Sequence, residues 1–204
     1  QITSIVNDAL AVDNTLSSLD LSAVESSNGT FTYVDGRDVI APSAAVSAKV
    51  AYKHSAGSNS YCSVCLPFDA TVANAFTFDK IEGESAKFVE ASTLTAGTSA
   101  IVKGDIEVTG TAEIAAVAGE TITTGYYLKN DKFLSVKGSA VIPAMRGNWK
   151  SISGVKGFII DGEETAINAI DAEGAQDIYS VAGIKQAKVQ KGVNIVNGKK
   201  LYVK

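Results

Sequence analysis

Residues that carry chemistry are scarce in this chain. It has one histidine, one tryptophan and two cysteines, and only two of its eighteen basic residues, Arg37 and Arg146, are arginine. A zinc site would need four ligands, and beside its two cysteines the chain offers a single imidazole. The net charge is −4 and the lysines are scattered, whereas nucleic-acid binders concentrate basic residues on one face and use arginine for bidentate phosphate contacts. No stretch approaches the ~20 apolar residues that span a bilayer, and no segment has the layout of a signal peptide. There is no basic amphipathic helix for a membrane surface and no glycine-rich phosphate loop. With no leader visible at Gln1, further sequence upstream is expected.

What is present is ordinary globular material. Apolar residues make up 46% of 204, which argues against disorder, and a chain of this size can bury roughly 70% of its unfolded surface. That length suits one large domain or two to three small ones.

One segment has a helical period. Ile2, Ile5, Val6, Ala9 and Leu10 form a single apolar stripe in residues 1–14, and Thr3 or Ser4 could cap its start, which predicts a helix over about 4–13. Leu19 and Leu21 then alternate as in a short strand. From about residue 30 the period is two. Val46, Ala48, Val50, Tyr52 and His54 share one face, with Ser47, Lys49, Ala51 and Lys53 on the other. Phe76 and Phe78 flank Thr77, and Ile106 and Val108 flank Glu107. Turn signals are dense: Asp35-Gly36, Asn130-Asp131, Asp161-Gly162 and Asn197-Gly198. Short strands broken by frequent turns predict a sandwich or barrel, and the lack of helices between strands excludes a parallel α/β sheet.

Asn197-Gly198 is the strongest hairpin signal, because it sits between two alternating apolar segments. A two-residue turn there pairs Val196 with Lys199, Ile195 with Lys200, Asn194 with Leu201 and Val193 with Tyr202. Apolar residues then fall on both faces, so the hairpin is expected to pack against further strands around 178–181.

Ile178, Tyr179, Gly183, Lys191, Gly192, Ile195, Asn197, Gly198, Lys199, Lys200, Val203 and Lys204 follow a pattern that resembles the C-terminal segment of secreted Bacteroidetes proteins. The resemblance implies export and a relative of the type IX sorting domains. A second resemblance lies upstream. Tyr61, Cys65, Leu66, Pro67 and Phe68, then Ala96, Thr98 and Lys103, then Ile142, Pro143, Ala144 and Arg146 resemble three blocks of a β-rich module near the C-termini of the same proteins. Ser99 departs where that module usually has proline, and the module implies no activity. A helix followed by Leu16-x-x-Leu19-Asp20-Leu21 resembles the final unit of leucine-rich-repeat surface proteins, which implies the end of a longer array.

Each chemical constellation has a plainer reading beside it. Cys62 and Cys65 lie in an alternating strand that sends their sulfurs to opposite faces, so two buried, reduced thiols are expected rather than a disulfide or a redox pair. His54 has no nucleophile elbow near it and reads as a strand-end or surface histidine. The acidic clusters Asp35/Asp38, Asp161/Glu163/Glu164 and Asp171/Glu173 sit in turns, where solvated carboxylates are the default, with a glycosidase pair or a weak calcium loop as the sharper readings. Trp149, Tyr126, Tyr127 and Phe133 could form a sugar-stacking platform, although strand aromatics are mostly core.

The expected protein is all-β, mainly an antiparallel β-sandwich module, with one short N-terminal helix and a small C-terminal β domain. Residues 1–29 form a helix–strand cap, 30–163 the sandwich, and 164–204 the C-terminal domain. The expected function is non-enzymatic: a secreted or cell-surface module for display, adhesion or partner binding. The alternative is an accessory carbohydrate-binding domain of an exported system. No catalytic, cofactor-binding or metal-binding residue is assigned. A protein or glycan at the cell surface and the export machinery are the expected partners.

Overall fold

The computed structural model describes residues 4–5, 16–57, 60–160, 162–165, 170–171, 178–180, 185–186, 192–196 and 199–203. Every regular element among them is a strand, and most pairings are antiparallel. The chain divides into two units, Gln1–Ile170 and Asp171–Lys204.

Alternation builds the first layer. Strand Ser47–His54 buries Ala48, Val50 and Tyr52 and turns Ser47, Lys49 and Lys53 outward. It pairs antiparallel with Ile106–Glu113 along its whole length, from His54↔Ile106 to Ser47↔Glu113, and parallel with Thr30–Tyr33. The inward residues of these three strands belong to one core, with Phe31, Tyr33, Ile106 and Val108 beside Val50 and Tyr52.

A six-stranded sheet is the hub of the larger unit. Its order is Glu163–Thr165, Gly157–Ile160, Ser85–Glu90, Ala75–Glu82, Ser99–Lys103 and Tyr61–Cys65. Neighbouring residues of this sheet go to different cores. Cys62, Val64, Ala75, Ala100 and Val102 join the core just described. Phe76, Ala86, Phe88, Ile101, Phe158 and Ile160 join a second, with Tyr126, Phe133 and Trp149. Ala100, Ile101 and Val102 are consequently all 0% exposed. A run of apolar residues without alternation is what a strand covered on both faces requires.

The second core is aromatic. Phe133 stacks on Phe158 with ring centroids 3.7 Å apart, and Trp149 meets Phe88 edge-on at 5.3 Å. The Tyr126 hydroxyl donates to the Val155 carbonyl at 3.0 Å, which lets a phenol be buried here without an unsatisfied polar end. Trp149 Nε1 is buried with no hydrogen-bond partner among the described residues.

Near the N-terminus three parallel pairings step along the chain: Ser4↔Ser26, Ser18↔Asp38 and Thr30↔Lys49. Leu19 and Leu21 are both buried, as their alternation predicts. Of the helix expected over 4–13, only Ser4 and Ile5 are described, and they form a strand; the remainder lies outside the described residues.

In the smaller unit the expected hairpin register holds at every pair from Val196↔Lys199 to Val193↔Tyr202. Strand Ile178–Ser180 lies beside Gly192–Val196, as expected, with Lys185–Gln186 on its other edge. The turn residues Asn197 and Gly198 lie outside the described residues.

Candidate functional site

The densest polar cluster gathers around His54. The strand Ser47–His54 places Tyr52 and His54 on the same, inward side, because they are two residues apart. Asp35 approaches from the turn after Thr30–Tyr33, and Arg146 from the loop after Ala140–Ile142. Two backbone features aim that arginine. Met145 adopts a left-handed φ of 68°, and the Ala144 carbonyl accepts the Gly36 N–H at 3.0 Å.

Both oxygens of Asp35 are engaged. Arg146 Nη2 donates to its Oδ2 at 2.6 Å, and the Tyr52 hydroxyl donates to its Oδ1 at 2.8 Å. Arg146 Nη1 reaches the Ser63 carbonyl at 3.5 Å. His54 Nδ1 lies 3.6 Å from Asp35 Oδ2. Both ring nitrogens of His54 are 3.4 Å from Arg146 Nη2. One atom equidistant from both at that range would overlap ring carbons if it lay in the imidazole plane, so the guanidinium sits over the ring face.

Burial sets the protonation. Side-chain exposure is 18% for His54, 27% for Asp35 and 23% for Arg146. Desolvation lowers the His54 pKa, Arg146 lowers it further, and Asp35 and Asp105 oppose. The phenol of Tyr52 is pushed up, first by burial and then by the charge of Asp35. Asp105 is itself tied down: its Oδ1 accepts from Ser55 Oγ at 3.0 Å and from the Ala56 and Gly57 N–H groups at 2.9 Å.

His54 thus ends its strand as expected, yet it is mostly covered rather than a surface residue. Asp35 is paired and half-buried instead of solvated, and Asp38 accepts the Gly119 N–H at 2.8 Å. Asp161, Glu163, Glu164, Asp171 and Glu173 have side chains outside the described residues. The one signal in the sequence that could have found this cluster is the rarity of arginine. Arg37 is only 4% exposed and donates from Nε to the Leu16 carbonyl at 3.0 Å. Arg37 is therefore interior and Arg146 half-buried, settings where a planar, permanently charged donor is favoured over lysine.

Cys62 and Cys65 are unbonded. The Cys62 thiol points at the Val102 and Gly104 carbonyls, and burial pushes its pKa up to about 11. Cys65 is half-buried rather than buried, and burial raises its thiol too. Of the four expected aromatics Tyr126, Phe133 and Trp149 are interior and form a core, and Tyr127 is partly exposed, so the four do not make one open platform for a sugar. Among the described residues no group of three or more His, Cys, Asp or Glu side chains could hold a metal, and no helix is long and apolar enough to cross a membrane. An open, shallow depression lined by Asp69, Thr71, Thr93, Glu107 and Thr109 lies on the surface.

Segments 61–68, 96–103 and 141–149 meet in space. The Cys65 N–H donates to the Met145 carbonyl at 2.9 Å, and the Asn148 N–H to Ser99 Oγ at 3.1 Å. Gly147 passes so close to the Val64 carbonyl and Ser99 that a Cβ would meet them at 2.9 Å and 3.2 Å. Ser99 uses its hydroxyl to anchor the 141–149 segment.

No protein-family model, curated protein or solved structure matches the chain.

Proposed function

We propose that this chain is a non-enzymatic module of a secreted or cell-surface protein, presenting loops for display, adhesion or partner binding. The observation that carries this reading is the mutual engagement of the groups around His54. Both Asp35 oxygens are bonded to Arg146 and Tyr52, the imidazole lies under a guanidinium, and the nearby Cys62 thiol is held protonated. Groups so engaged fix the Asp35–Gly36, Ser55–Gly57 and Pro143–Arg146 loops against each other. Loops held on a rigid β scaffold are where recognition usually resides.

In this reading the sandwich module runs from residue 30 through the strand Glu163–Thr165, residues 1–29 form a cap of leucine-rich-repeat type, and the smaller unit Asp171–Lys204 is a C-terminal domain read by an export machine. The stepped parallel pairings near the N-terminus support the cap. The partner is a protein or glycan at the cell surface. The carbohydrate-binding alternative has the shallow polar depression in its favour and the buried aromatics against it.

Two measurements on the intact chain decide among these. Binding on a glycan array, lost on Glu107→Ala and Thr109→Ala, would move the function to carbohydrate recognition. Turnover of an ester, peptide or glycoside substrate that disappears in His54→Ala would overturn the non-enzymatic reading altogether.

A further inference from the structure

The cluster around His54 holds a charged network in place with the only imidazole in the chain, and that arrangement has two states. Arg146 Nη2 bridges Asp35 and the face of His54 at the same time. The neutral ring accepts a guanidinium over its face. A protonated ring places a second cation at 3.4 Å from the first, in a site where little water screens them.

We propose that His54, Arg146 and Asp35 form an acid-sensitive latch that joins the Asp35–Gly36 turn to the Pro143–Arg146 loop and loosens when His54 takes up a proton. The groups facing His54 come from three elements besides its own: Asp35 from the turn, Arg146 from the loop, and Asp105 from the segment between Ser99–Lys103 and Ile106–Glu113. Tyr52 lies on the same strand. Two of these groups are carboxylates that attract an imidazolium, but both are already engaged. Asp35 is neutralised by Arg146 and bonded to Tyr52, and Asp105 is held by Ser55 and the 56–57 backbone. Desolvation of a ring that is 18% exposed therefore leads, with Arg146 acting in the same direction.

The sign follows. A histidine that is harder to protonate in the folded than in the unfolded chain leaves stability at its full value above the unfolded pKa, near 6.5. Stability is lost as pH falls below that value toward the folded pKa. The lowered carboxylates Asp20, Glu82, Asp105 and Glu120 act below their ordinary values of 3.8 to 4.5, so a window from pH 7.5 to 5.5 isolates the histidine.

The latch stands independently of the proposed function, and the single histidine makes it directly readable. The imidazole Hε1 resonance, followed by NMR, is expected to titrate with a midpoint below 6.5, and the Gly36 amide, which bonds across the latch to Ala144, is expected to shift with the same midpoint. The melting temperature of the wild-type chain is expected to fall between pH 7.5 and 5.5, and that fall is expected to vanish in His54→Gln. A midpoint at or above 6.5 overturns the proposal. So does a Gly36 amide that does not follow His54, or an equal fall in melting temperature in His54→Gln.

Discussion

Met145 holds a left-handed backbone that L side chains rarely adopt, with its side chain only 3% exposed in the larger core. That conformation costs of order 1 kcal/mol and persists because its surroundings fix it from both sides. Its carbonyl accepts the Cys65 N–H, and the next residue lands on Asp35. Truncating Met145 to alanine keeps the strained φ and leaves a cavity, which should cost about 2–4 kcal/mol. Glycine leaves the same cavity but relieves the strain, so Met145→Gly is expected to be more stable than Met145→Ala by about 1 kcal/mol in urea titration. The opposite order would show that the backbone is not strained. The thiols give a second test at this scale. Iodoacetamide at pH 8 should label half-buried Cys65 well before buried Cys62, whose pKa of about 11 leaves almost no thiolate, and the unreduced protein should show no two-dalton deficit. The opposite faces of these sulfurs were legible from alternation alone. The Asp35–Arg146 pair was not, because nothing local links a turn acid to an arginine 111 positions away.

Single elements follow local rules wherever one face is wet. Ser47–His54 alternates in sequence and in burial alike, and Asn130-Asp131 closes the hairpin between Tyr126–Lys129 and Lys132–Ser135 with both φ angles positive, as a type I′ turn demands. Ser99–Lys103 does not alternate, and its sequence alone could not say that it is covered twice. Phe78 marks another limit. It shares the face of buried Phe76, yet it is 37% exposed, next to a register shift at Lys87/Phe88 in the partner strand. The hairpin strand Tyr126–Lys129 depends on Gly125, whose φ is +90° and whose missing Cβ would collide with the Trp149 carbonyl and Lys150 Cα, both backbone atoms that cannot yield. Gly125→Ala is therefore expected to destabilise by about 3 kcal/mol or more, read as a large drop in melting temperature. A loss under about 1 kcal/mol would mean that the Trp149 strand shifts freely, in conflict with an interior of fixed packing.

The all-β character of the whole molecule follows from its turns and period-two segments, but the way its sheets are joined does not. Ser85–Glu90 pairs parallel with Gly157–Ile160 across a long stretch of chain, and that pairing brings Phe158 onto Phe88 and Phe133. Contacts so distant in sequence are set by packing, which no local pattern encodes. The C-terminal unit is the reverse case, because a single short turn fixed its register. It is also small. Residues 171–204 fall below the ~40 residues at which a chain usually sustains a core unaided. Its sheet has four strands in the order Lys185–Gln186, Ile178–Ser180, Gly192–Val196, Lys199–Val203. Removing 193–204 takes the last two and leaves Ile178–Ser180 with a two-residue partner, whereas about three strands with an apolar face are needed for stability. The exposed edge of Ile178–Ser180 would then be free to pair with other chains. Deletion of 193–204 is expected to lower the melting temperature or produce aggregates in size-exclusion chromatography. Unchanged melting and elution would instead mean that the hairpin acts as a detachable address and adds nothing to the fold.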